Sequence, residues 1–154
     1  MSKGVGGEGC KLTSADNIKQ FVLAGDAYFT LKNTKRGTHM TFHVNNPIED
    51  KPGLYFVAVL VGNDNTKDYA YLGNLHDDRY TQGLVFTRGA KSKVEEKAAS
   101  MMTARLLFNE WINRAAFPPA LEVWHCNQCG RCGRLLTTPE SCERGIGPEC
   151  YKKM

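Results

Sequence analysis

Six groups able to bind a soft metal crowd the last thirty residues: His125, Cys126, Cys129, Cys132, Cys142 and Cys150. Five of the chain's six cysteines fall in this stretch, set among glycine, arginine and turn-forming residues. Cys126 with Cys129, and Cys129 with Cys132, make overlapping C-x-x-C pairs, each followed by glycine, and Cys150 lies eighteen residues further on. Two thiolates separated by two residues reach one ion from a single tight turn, and the glycine permits that turn's backbone. The spacing predicts one structural Zn²⁺ ion.

The remaining ligands must come from a second segment. Gly145 to Cys150 supplies it, because Pro148 suits the first position of a short helix whose first turn then carries Cys150. The positive end of the helix dipole favours a thiolate there. Thr138 to Ser141 reads as a capped helical turn closed by Gly145. Cys129, Cys132 and Cys150 form the centre of the expected ligand set. His125, whose neighbour Trp124 would anchor the entering strand, is favoured as the fourth over Cys126 and Cys142. Cys10 is expected as an unpaired thiol. Four protein ligands would saturate the ion and leave no position for water, which argues against catalysis.

Disulfides and a redox C-x-x-C are the competing explanations. The chain opens with no charged region followed by an apolar one, and no apolar run is long enough to span a bilayer. These features point to the cytoplasm, where clustered cysteines more often bind metal. No parallel β-α-β context supports a redox motif.

The run Val123-Trp124-His125, then Cys129-Gly-Arg-Cys132-Gly-Arg, Leu136, Pro139-Glu-Ser141, and the closing Gly145, Gly147, Pro148 and Cys150 resembles the C-terminal module of a family of small phage and bacterial proteins. That family is catalogued as a domain of unknown function. The resemblance implies a zinc fold and a mobile-element origin, hence a host cytoplasm. It also implies ligand roles for His125, Cys129, Cys132 and Cys150, since the histidine and three cysteines recur in the family. Cys126 and Cys142 depart from its pattern. No activity follows from the likeness.

The elements that must carry this tail read as α+β. With 154 residues, 42% hydrophobic and 23% charged, the chain has material for one ordinary core and an appended module. The expected division is a flexible start over 1–12, a core over 13–118 and a zinc-binding module over 119–154. Thr13 or Ser14 caps a short helix with Ile18, Phe21 and Val22 on its apolar side, ended by Gly25. Strands are expected at 27–31, 38–44, 53–62, 68–75 and 83–87, with turns at 32–37 and 62–65, making an antiparallel meander. From about Lys91 to Arg114 the apolar period becomes helical, predicting one long helix against the sheet. Pro118 and Pro119 stop it, and a treble-clef-like zinc knuckle follows.

Catalytic constellations are otherwise sparse. His39 and His43 have the spacing of a helical metal pair but lie in a strand pattern, where they stand roughly 13 Å apart. His76-Asp77-Asp78 reads as a solvated loop. No phosphate loop, nucleophile elbow or deaminase H-x-E motif occurs. A non-catalytic binding role is therefore expected.

Nucleic acid is the first expected partner. Lys32, Lys35 and Arg36, then Arg88, Lys91 and Lys93, then Arg131, Arg134 and Arg144 would contact phosphates if folding gathers them on one side. Tyr28, Tyr69 and Tyr71 would add stacking surfaces. The formal charge of +4 is only mildly basic. The alternative partner is a host protein, with this chain as inhibitor or adaptor of a defence or nucleic-acid-processing complex. No membrane association is expected.

Overall fold

The computed structural model describes residues 10–46, 53–62, 67–78, 83–126, 128–136 and 138–153. Seven strands form one antiparallel sheet: β1 (Cys10–Leu12), β2 (Asp26–Asn33), β3 (Thr38–Asn45), β4 (Leu54–Leu60), β5 (Tyr69–Asp78), β6 (Gly83–Arg88) and β7 (Leu121–His125). Their order is β1-β7-β2-β3-β4-β5-β6. The expected meander supplies the middle and far edge. The residues assigned to a flexible start and to the approach of the zinc module supply the rest: β7 lies between β1 and β2, with Cys10 opposite His125 and His125 opposite Phe29. The approach to the module is thus a strand of the core sheet. The expected turn at 62–65 lies largely outside the described residues, as does most of the glycine-rich start.

Alternation assigns the faces. Ala27, Phe29 and Leu31 of β2, Phe42 and Val44 of β3, and Val57 and Val59 of β4 point to one side and are buried there. Leu72 and Leu75 are three residues apart yet both fully buried, because a bulge opposite Val57 and Ala58 inserts Leu72 and resets the alternation. Helix α1 (Ala15–Val22), capped by the Ser14 side chain, sets Ile18, Phe21 and Val22 into this face. Met101, Ala104, Leu107, Phe108 and Ile112 from the later helical segment complete the core.

That later segment differs from the single helix expected from Lys91. Helix α2 covers Ala99–Leu106, a π-helical turn covers Leu107–Trp111, and α3 covers Ile112–Arg114, ending at Ala115 in the left-handed region. Residues 91–98 form turns instead, for a local reason. Arg88 donates from Nε and Nη2 to the carbonyls of Val94 and Ser92, and Ser92 Oγ donates to the carbonyl of Tyr71. These bonds hold the connector against the sheet before a helix can start. The π turn and α3 also have a visible use: Asn109 of the one and Asn113 of the other accept from the amides of Phe86 and Leu84 at 2.8 and 2.7 Å. The outward N–H groups of Leu84 and Phe86 on edge strand β6 are thereby satisfied by side chains. His76, Asp77 and Asp78 belong to β5 and not to a loop.

Among the described residues no helix is long and apolar enough to cross a membrane.

Candidate metal centre

Beyond β7 the chain makes a small hairpin-like turn in which Gln128 bridges Leu135. Inside it the Cys129 amide donates to the Arg134 carbonyl at 2.8 Å, and the Gly133 amide donates back to the Cys129 carbonyl at 2.9 Å. Gly133 adopts φ 77°, which the tight turn requires of it. Helix α4 (Pro139–Arg144) follows, capped by Thr138, whose Oγ1 accepts from the Ser141 amide, and closed by Gly145 in the left-handed region. Helix α5 (Pro148–Lys152) begins with Pro148 in its first turn and carries Cys150. Both caps match the reading from sequence.

The fold brings Cys129, Cys132 and Cys150 together, their sulfurs all within 4.8 Å of one another. Sulfurs at the corners of a zinc tetrahedron with bonds of about 2.3 Å would stand roughly 3.8 Å apart, so a small inward adjustment suits an ion. The sulfurs also perturb one another. Burial raises the Cys129 thiol, but backbone N–H groups of Gly147, Cys132 and Arg131 outweigh it and draw the group below its ordinary value. Cys150 is pushed up to about 11 by burial first and then by the Cys132 and Cys129 sulfurs. Three sulfurs this close cannot all ionise without a cation among them. The donor set fits a thiophilic metal such as zinc.

The other candidates are employed differently. His125 is buried against Phe21, with ring centroids 5.4 Å apart. Its Nε2–H donates to the Cys142 carbonyl at 2.7 Å. Burial depresses its basicity despite that bond. Among the described residues it does not join the thiol group. The inward side of β7 is the reason: position 125 shares the core-facing side of the strand with Val123, while the thiols gather beyond the strand. Cys126 lies 3.5 Å from Gln128 Oε1. Cys10, expected as an unpaired thiol, is instead hydrogen-bonded to Cys142, and burial and that neighbour push it up to about 11.

A residue that sequence reasoning underused is Phe21. It stacks on His125 and also lies under Gly130 and Gly145, where an added Cβ would collide with Phe21 Cδ1. Only its place on the apolar side of α1 signalled that it was buried. Nothing local indicated what it would meet.

The exposed members of the expected basic set lie in three places, two of them at opposite ends of β2. Lys35 and Arg36 are exposed in the β2–β3 turn, after Asn33, while the Asp26 amide at the other end of β2 donates to the Gly130 carbonyl. Seven strand steps between them correspond to roughly 23 Å. Exposed Lys91 and Lys93 follow β6, and exposed Arg131 and Arg134 lie on the hairpin-like turn after β7. Arg88 is occupied by backbone carbonyls, as above. Arg144 lies 3.9 Å over the Tyr151 ring. The outer face of the sheet runs between the two ends. It carries Lys32 over Trp124 at 4.5 Å, and Tyr28 stacked on His43 with centroids 3.9 Å apart. Tyr69 meets both rings edge-on, and Phe56 meets Tyr71. His43 also bonds Asp26 at 2.7 Å, so it serves this face and not a metal.

No curated protein and no solved structure matches this chain. A family of unknown function, DUF6011, matches residues 125–154, the stretch that contains the three clustered thiols.

Proposed function

We propose that this chain is a non-catalytic, zinc-stabilised accessory protein of phage type that binds single-stranded or structured nucleic acid, mainly through phosphate contacts. Cys129, Cys132 and Cys150 hold the zinc, and the turn, short helix and α5 around it make a treble-clef-like knuckle. The observation that carries the reading is the outer sheet face, on which half-exposed rings lie between two exposed basic ends. Lys35 and Arg36 would take phosphates at one end and Arg131 and Arg134 at the other, with Trp124 and the tyrosines offering ring surface between them. Among the described residues every helix in the main core packs on the opposite face, which leaves this one for a ligand.

Fluorescence titration with a short single strand across a salt series tests this reading. Affinity should fall linearly in log-log form as salt rises, and the Arg131→Ala/Arg134→Ala variant, with its metal retained, should bind more weakly. Equal binding by that variant to single and double strands would remove the knuckle from the interface.

A second reading, an inhibitor or adaptor of a host protein, draws on a different surface. Met102 and Leu106 are 53% and 46% exposed on α2 and line a groove of about 380 Å³ with Leu31 and Trp111. An interface centred there would lose little affinity in salt. A pull-down from lysate with and without nuclease distinguishes a direct protein target from a nucleic-acid tether.

A further inference from the structure

The three thiols are unevenly covered. Cys129 is buried beside Leu136 and Ile146, Cys150 is half-buried, and Cys132 is exposed. A groove of about 550 Å³ runs along the exposed side of the cluster. Cys132 and Cys150 form part of its wall, Leu135 and Leu136 its apolar side, and Arg134, Lys153 and Glu149 its polar rim. Among the described residues no fourth His, Cys, Asp or Glu completes the group, and the Nε2 of His125 is engaged by the Cys142 carbonyl.

We infer that the metal's fourth coordination position opens onto this groove and accepts an external small molecule that carries a thiol and a carboxylate. The inference rests on the reading that Cys129, Cys132 and Cys150 hold zinc. A zinc ion on three thiolates is soft and takes another sulfur readily, and a sulfur ligand from outside the chain would complete its four-coordinate shell and leave no position for a reacting water. With zinc held by Cys129, Cys132 and Cys150, the ligand's thiol would lose its proton to solvent and its sulfur would take the fourth position in exchange for a solvent molecule. Arg134 and Lys153 outnumber Glu149 on the rim, so a carboxylate on the same molecule finds net positive charge, and the apolar wall of Leu135 and Leu136 suits a short methylene spacer.

The test uses the full chain, reduced with a phosphine and loaded with Co²⁺ as a spectroscopic stand-in, and 3-mercaptopropionate as the probe. Its addition should intensify the sulfur-to-cobalt charge-transfer band, and X-ray absorption on the zinc form should change from three sulfurs plus one light atom to four sulfurs. 2-Mercaptoethanol should bind roughly tenfold more weakly, and Arg134→Ala should erase that preference while leaving the metal in place. His125→Gln should keep the ligand-free cobalt spectrum of the unaltered protein. An unchanged spectrum with about 1 mM 3-mercaptopropionate, or a ligand-free spectrum altered by His125→Gln, overturns the open position. Failure to bind cobalt at all overturns the metal reading beneath it, which the absent colour distinguishes from the other outcomes.

Discussion

The amide of Asp26 donates to the carbonyl oxygen of Gly130 at 2.7 Å, so the first residue of β2 holds the turn that presents Cys129. Gly130 in turn donates to the Gly145 carbonyl at 2.9 Å, and both glycines lie against Phe21. The knuckle is therefore seated on the sheet and α1 by hydrogen bonds and by one aromatic ring, in addition to anything a metal contributes.

Gly130→Ala follows directly from that seating. The new methyl would stand 2.8 Å from Phe21 Cδ1 and 2.9 Å from the Phe21 carbonyl oxygen, and backbone cannot step aside as a side chain can. A loss of about 1–3 kcal/mol is expected, read as a lower unfolding midpoint in urea at saturating zinc. An unchanged midpoint would mean that the knuckle does not press on α1.

Cys129→Ser removes the most buried of the three clustered sulfurs, whose thiol is drawn below its ordinary value by backbone N–H groups. The expected result is loss of bound metal with rapid amide exchange beyond β7, while β3, β4 and β5 stay protected. Metal analysis with hydrogen exchange reads both halves. Metal retained at full stoichiometry would contradict the ligand assignment.

His125 gives a pH dependence with a defined sign. Its folded-state basicity is depressed below the ordinary value of 6.5, chiefly by burial. Protonation then favours the unfolded chain, so the contribution is intact above 6.5 and is lost as pH falls from there through the lower folded-state value. Urea midpoints between neutral and mildly acidic pH should decline more steeply in the unaltered protein than in His125→Gln. Parallel slopes would place the titration elsewhere.

Asn113 joins the helical segment to the edge of the sheet, accepting from the Leu84 amide at 2.7 Å and donating to its carbonyl at 2.8 Å. Asn113→Ala leaves both groups without this partner and should cost about 1–3 kcal/mol. Thermal unfolding measures the loss. Size-exclusion chromatography should show added self-association, because an edge stripped of its cover pairs with other chains. A variant as stable and as monodisperse as its parent would make the asparagine clamp incidental.

On the proposed outer face, Trp124→Ala should weaken single-strand binding by about 1–3 kcal/mol through lost stacking. Lys35→Ala/Arg36→Ala should instead reduce the log-log salt slope by about 1.4, the value for two phosphate contacts on a single strand. Titrations at several salt concentrations separate the two signatures. A tryptophan variant that changes the slope and not the stacking contribution would reverse the assigned roles.

Much of the local structure was legible in the residues alone. Ser14 and Thr138 as caps, Gly145 as a helix stop, Pro148 as a helix start and the alternation in β3 all depend on neighbours within a few positions. The same holds for Cys129 and Cys132, whose shared turn is a matter of spacing. The helical period read from Lys91 failed before Ala99 because Ser92 and Arg88 bond to a distant strand and to the connector, contacts that periodicity does not encode.

What tertiary structure alone decided was the company each chemical group keeps. Inserting β7 between β1 and β2 turned His125 toward Phe21, brought Cys10 beside Cys142, and put the basic turn and the knuckle at opposite ends of one strand. The place of β7 is set by pairings between residues far apart in the chain, such as Cys10 with His125 and Phe29 with His125. Those pairings follow from burying one face of the whole sheet at once, a collective condition that no short stretch of sequence carries.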